Sequence, residues 1–201
     1  MEFPGSDNLE PSTETGASSV SIRQILIDLV ETLALAAVLF FAINAVSARV
    51  RVDGFSMLPT LQNGEYVLVN RLAYRTSVPE RGDIIVFVSP VDDQDLIKRV
   101  IGLPGDHLRV TDGQVYLNGQ ALDEPYIAAA PLYDNEWTVS EGQLFVLGDN
   151  RNDSLDSHNW GLLPIENVIG KAVLIYWPPN DWNLIEHTQS LIPGSATGFF
   201  L

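Results

Sequence analysis

The chain has 201 residues, a formal net charge of −15 and no cysteine. That length suits one globular domain plus appendages. The acidity excludes a nucleic-acid binder, which needs a basic footprint. It reads instead as solubility for an exposed domain and says little about fold. The missing thiols exclude a disulfide framework, a thiol nucleophile and zinc–thiolate sites.

In chain order, the first twenty residues carry Glu2, Asp7, Glu10 and Glu14, no Lys or Arg, and scattered Ser, Thr, Pro and Gly. Such a segment cannot bury enough apolar surface to offset its ordering entropy, so residues 1–22 are expected to form a disordered acidic tail. From Ile25 to Val46 the chain turns apolar, with Asp28 and Glu31 near the start and an uninterrupted centre from Leu33 to Ile43. A bilayer span needs roughly 20 apolar residues. Three readings fit: a retained anchor over 23–48, a buried core helix, or a signal peptide cleaved after Val46-Ser47-Ala48. The long acidic start speaks against the third. Arg23 precedes the segment while Arg49 and Arg51 follow it, so flanking charge does not orient it.

Beyond Arg51 the pattern is mostly β. Gly64–Val69 and Gly82–Val88 are short β-rich runs entered from turns. His107–Val110 and Gln114–Leu117 flank Asp112-Gly113, and Asn118-Gly119 follows directly, two hairpin signals in succession. Gln143–Leu147 and Lys171–Trp177 read as later strands, the last stopped by Pro178-Pro179. The β-rich domain is expected over 49–179, with hairpins at about 104–142 and a tail of no clear period over 180–201. No internal repeat is visible.

Two residues carry the chemistry. Ser56 lies just past the apolar segment in Gly54-Phe55-Ser56-Met57-Leu58-Pro59-Thr60-Leu61. Lys98, one of two lysines, sits in the apolar strand Asp95–Ile101. A serine hydroxyl needs a base to become nucleophilic. His107, His158 and His187 sit in no familiar serine-hydrolase signature, and there is no Gly-x-Ser-x-Gly elbow. A lysine serves as base only if burial lowers its pKa. Alternation puts Lys98 on one face with Leu96 and Val100, and Arg99 on the other with Ile97 and Ile101. It likewise puts Lys171 with Val173 and Ile175, so Lys98 also reads as an ordinary edge-strand lysine, and Ser56 as a turn residue. The polar stretch Gly148–Gly161 reads as a solvated turn or as a network orienting an amine. It is no EF-hand loop, because Ser154 and Trp160 stand where glycine and glutamate are required.

Together these stretches resemble the type I signal peptidases, membrane-anchored serine proteases that remove signal peptides from exported proteins. Ser56-Met57-Leu58-Pro59-Thr60-Leu61, Lys98 through Asp106, Gly148 through Gly161 and the strand Arg81–Phe87 carry the resemblance. It implies a mainly β catalytic domain, a coiled antiparallel sheet, with one N-terminal transmembrane helix. It implies Ser56 as nucleophile and Lys98 as general base, Ser154 hydrogen-bonding the lysine amine, and Asp156 steadying that network. Asp149 and Arg151 look structural, as an ion pair. Cleavage after small residues (Ala-x-Ala), preprotein and bilayer partners, contact with export machinery, and no metal or other cofactor are also implied. So are a cytoplasmic N-terminus and an extracytoplasmic catalytic domain at the plasma or thylakoid membrane.

Three departures stand out. Some members carry an oxyanion-hole hydroxyl where this chain has Gly54, so the hole is expected to rest on backbone N–H groups, Ser56 first among them. His158 stands where an arginine often follows the Asp-Ser pair, and no catalytic role is expected for it. The stretch between the lysine and Gly148 segments is short, so the accessory lobe is expected to be reduced to hairpins. Two other classes remain at this point: a self-cleaving Ser–Lys repressor, which would need a DNA-binding domain and an internal Ala-Gly site and is opposed by the acidic tail and the apolar span, and a catalytically silent membrane anchor keeping the peptidase fold.

Overall fold

The computed structural model describes residues 21–187; the acidic tail before Ser21 and the chain from Thr188 onward lie outside the described residues. Two compact units divide the chain, Met1–Phe41 and Ala42–Leu201. The helix α1 (Ile22–Val46) has 25 residues and no buried side chain. At about 1.5 Å per residue it is long enough for a hydrocarbon core of about 30 Å, and it is apolar enough to cross one. Its early polar groups satisfy one another: the Gln24 amide donates to the Asp28 carboxylate at 2.9 Å, and the Thr32 hydroxyl to the Asp28 carbonyl at 2.7 Å.

The second unit is β-rich. Its strands are β1 (Ser47–Arg51), β2 (Tyr66–Asn70), β3 (Ile84–Val88), β4 (Asp95–Gly102), β5 (His107–Thr111) and β6 (Gln114–Leu117). They continue with β7 (Gln120–Ala121), β8 (Asn135–Thr138), β9 (Gln143–Leu147), β10 (Leu163–Pro164), β11 (Val168–Trp177) and β12 (Asn183–Leu184), and a one-turn helix α2 (Ser157–Trp160) follows β9. The larger sheet runs β1-β2-β11-β3-β4-β9-β10, with β12 on β11, and the smaller runs β7-β6-β5-β8. Every pairing is antiparallel.

Pattern explains placement. In β2, Val67 and Val69 are buried while Tyr66 and Asn70 are exposed, the period-two signature of a sheet with one covered face. In β3, Ile84 and Val86 join one apolar cluster and Ile85 and Phe87 another, so both faces are covered. That is why β3 reads as a continuous apolar run. The hairpin turns form at Asp112-Gly113 and Asn118-Gly119, where all four residues have positive φ. That conformation is cheap for Gly and tolerated by Asn and Asp. The hairpins do not stand alone: β8 pairs with β5 to complete a four-stranded sheet over its own core of Leu108, Val110, Val115 and Leu117.

One alternation fails. The pairing of β11 with β2 slips between Ala172 and Leu174. Ala172 and Ile175, an odd number of residues apart, therefore enter the same core, so Lys171 and Ile175 do not share a face. A bulge of this kind inserts one residue and reverses the side-chain phase.

Candidate active site

Ser56 sits in the loop between β1 and β2. The loop neck is closed by Val52 N–H to Glu65 O and Gly64 N–H to Val52 O, both at 2.8 Å. Met57 and Leu61, essentially without exposure, drive it into the core. Gly54, at φ +108°, donates its N–H to Asn63 Oδ1 at 2.9 Å. A side chain there would meet open space but a strained backbone, so the local turn, not crowding, accounts for glycine at this position. From the other side, Asn150 N–H donates to Ser56 O at 3.0 Å and the Asn150 amide to Phe55 O at 3.1 Å.

Lys98 comes from the middle of β4, where Ile97 through Gly102 are all buried; Lys98 itself is 2% exposed. It is thus not an edge-strand lysine: β4 lies between β3 and β9. Its Nζ donates to Ser56 Oγ at 2.8 Å and to Ile97 O at 3.0 Å. Burial pushes the amine down from 10.5 to about 8, against the opposing pull of the Asp156 and Asp149 carboxylates. The other lysine is engaged elsewhere, 2.5 Å from buried Asp83. A cleft of about 470 Å³ opens beside the pair, flanked by Val50 and Val52 at the end of β1 and by Leu96 and Ile97 of β4.

The Gly148–Gly161 segment backs this pair. Asp156, fully buried, caps α2 and accepts from Gly148 N–H at 2.8 Å and His158 N–H at 3.1 Å. Ser154 Oγ is buried and has no hydrogen-bond partner among the described residues. The expected bond from it to the lysine amine is not formed, because Nζ is directed at Ser56 Oγ and the Ile97 carbonyl. Ser154 nonetheless lies beside the nucleophile loop: a Cβ on Gly148 would collide with both Ser154 Oγ and Ser56 O.

Asp149 and Arg151 do not pair with each other. Asp149 takes a bidentate contact from Arg99, at 2.8 and 2.7 Å, and also accepts from the Thr60 hydroxyl. Arg151 instead grips Glu124 at 2.8 and 2.5 Å, and its Nε donates to Gly148 O at 3.2 Å. Tyr126 lies between the two arginines, its ring 4.0 Å below the Arg99 guanidinium. The reason is geometric: neighbouring residues in a tight turn cannot present fork to fork, whereas partners from other elements can. The Ser56 motif contains Thr60 without giving it a role, and Glu124 and Tyr126 stand outside every motif. A signal existed for Arg99: an arginine embedded in an apolar strand requires a carboxylate, because a buried unpaired charge is costly.

The chain is 44% identical over 161 residues to "Probable signal peptidase I-2" of Synechocystis, covering 76% of this chain and 73% of that protein. It is 41% identical over 182 residues to "Signal peptidase I" of Leptolyngbya laminosa, covering 85% and 89%. Against "Thylakoidal processing peptidase 1, chloroplastic" of Arabidopsis thaliana it is 38% identical over 152 residues, 69% of this chain and 45% of that one. Residues 26–177 match the family described as "Signal peptidase, peptidase S26". With most of its β-rich unit inside that match, the chain belongs to the signal peptidase family, peptidase S26.

Proposed function

We propose that this protein is a membrane-bound serine endopeptidase that removes N-terminal signal peptides from exported preproteins, with Ser56 as nucleophile and Lys98 as general base. The observation that carries the assignment is the 2.8 Å contact between the Lys98 amine and Ser56 Oγ at a lysine only 2% exposed. Once deprotonated, the amine accepts the Ser56 proton in the same geometry. The serine oxygen attacks the carbonyl carbon following a small residue, the C–N bond breaks, and the leaving amine takes the proton from Lys98. Water, deprotonated by the same amine, then attacks the acyl ester and frees Ser56. Backbone N–H groups, that of Ser56 among them, stabilise the oxyanion. The Asp156 charge acts on the lysine amine, and Ser154 lies beside the nucleophile loop.

β1 is the outer strand of its sheet and borders the cleft, so an extended cleavage segment adds along it by strand pairing. The apolar α1 supports a single span; a cytoplasmic N-terminus, an outside β unit and a plasma or thylakoid membrane rest on the family reading alone. Holding enzyme and preprotein in one bilayer, near the export machinery, raises their effective concentration. The test is cleavage of a purified preprotein bearing an Ala-x-Ala site by the detergent-solubilised full chain, with N-terminal sequencing of the product. Wild type is expected to cut after the final Ala, and Ser56→Ala and Lys98→Ala not at all. Undiminished cleavage by folded Ser56→Ala sinks the reading.

A further inference from the structure

His158 approaches the buried Asp156 carboxylate at 2.7 Å through ring Nδ1. A carboxylate only accepts, so Nδ1 carries a proton. The other nitrogen, Nε2, lies 2.9 Å from the Asn159 side-chain nitrogen. The Asn159 oxygen is already committed, accepting from Asp156 N–H at 3.2 Å in the capping box of α2. Its nitrogen is therefore a donor, and Nε2 must accept. With Asn159 oriented by its capping bond, the two contacts fit a neutral imidazole with its proton on Nδ1; a second proton would set donor against donor at Asn159. The Tyr133 ring, stacked at 4.1 Å and 8°, fixes the plane.

The charged surroundings leave this arrangement in control of Asp156. Tyr133 comes from the segment before β8, and the charges acting on it are those of Asp156, Arg151 and Glu124. Arg151 and Glu124 are paired with each other. Asp156 itself accepts from the backbone N–H groups of Gly148, His158 and Asn159 and from the imidazole, all neutral donors. Its charge acts on the Lys98 amine, beside that of Asp149. We propose that His158 is a positioning residue for the Ser56–Lys98 pair: as a neutral imidazole it fixes Asp156 while leaving the carboxylate's full charge facing the lysine amine. A permanent cation at this position cancels that charge, and Lys98 then releases its proton at lower pH.

The inference rests on the Ser–Lys reading of the site, and its test has a readout that does not need turnover. The full chain in detergent is labelled competitively with acetic anhydride across pH, and the midpoint for the Lys98 amine is read by mass spectrometry. The pH profile of kcat/KM is measured in parallel. In His158→Arg and His158→Lys both the labelling midpoint and the acid limb should fall by about 0.5–1 pH unit, the effect of losing one nearby opposite charge. In His158→Gln, a neutral donor, both should coincide with wild type. Midpoints unmoved in the folded cationic variants overturn the proposal, as does an equal shift in His158→Gln, which makes packing the cause. If both cationic variants fail to fold, His158→Gln decides: a Lys98 midpoint that coincides with wild type supports the neutral imidazole, and a raised one, the mark of a lost cation, overturns it. A shifted midpoint in a chain whose wild type cleaves nothing condemns the peptidase reading alone; cleavage with an unmoved midpoint condemns only the role of His158.

Discussion

Replacing Lys98 by Met removes a buried amine whose proton is held less tightly in the folded chain than in the unfolded one. The folded amine titrates at about 8 against an ordinary 10.5. That gap of about 2.5 units, at about 1.4 kcal/mol per unit, corresponds to about 3 kcal/mol. Between pH 8 and 10.5 the unfolded chain keeps the proton and the folded chain has lost it, and stability rises with pH wherever the unfolded state binds more protons. Wild type therefore gains about 3 kcal/mol across that window, and Lys98→Met does not. The hydrogen bonds lost with the amine offset the two curves by a constant, and every other titrating group cancels in the difference. Urea unfolding of both full-length proteins in nonionic detergent, followed by tryptophan fluorescence from pH 7 to 11, reads this directly. The stability difference, wild type minus variant, should grow with pH by about 3 kcal/mol. Parallel curves would refute the reasoning, because they would mean that Lys98 titrates alike in the folded and unfolded chains.

The remaining expectations concern the groups around the dyad. The acid limb of kcat/KM should fall near pH 8, where the Lys98 amine loses its proton, and a limb two units lower in a steady-state profile assigns the base elsewhere. Lys171→Ala should keep cleavage but lower stability by about 1–3 kcal/mol, the cost of a buried group left under-paired, since Asp83 is 1% exposed and loses its cation; loss of turnover in a folded variant contradicts this. Gly148→Ala drives a methyl group into Ser154 Oγ and Ser56 O, so kcat should drop far more than the unfolding midpoint, and equal losses would point to general collapse. Asp149→Asn leaves the Arg99 guanidinium buried without its counter-charge, expected to cost about 3–5 kcal/mol; a thermal or urea midpoint within experimental error of wild type argues that the pair is not isolated from solvent.

How much of this was legible in the residues depended on range. The strands β2, β3, β5, β6 and β9 follow from local alternation and from the two hairpin dipeptides, which act within a few residues. The phase of β11 was not readable, because its bulge is imposed by pairing with β2 and leaves no sequence mark at Val173. β8, Asn135–Thr138, has too little apolar content to announce itself; its partner β5 makes it a strand. At the site, Ser56 and Lys98 were legible as a pair only because their motifs recur together in one family, and burial then separates Lys98 from Lys171. The partners of Asp149 and Arg151 were invisible, since Arg99 and Glu124 lie 50 and 27 positions away. The neutral role of His158 needed the amide orientation of Asn159, which no sequence pattern encodes.

The paired arginines also bear on inheritance. Arg99 belongs to the strand carrying the lysine, Asp149 holds Thr60 of the nucleophile loop, and Glu124 and Tyr126 come from the loop that joins the strands of the smaller sheet. The smaller sheet is therefore no detachable module. A chimaera that exchanges it for the lobe of a longer relative must bring in a carboxylate for Arg151, or it strands that cation in the interior, and a ring to cover the Arg99 guanidinium, which keeps Asp149. The segment around Glu124 has to be copied with the centre it serves.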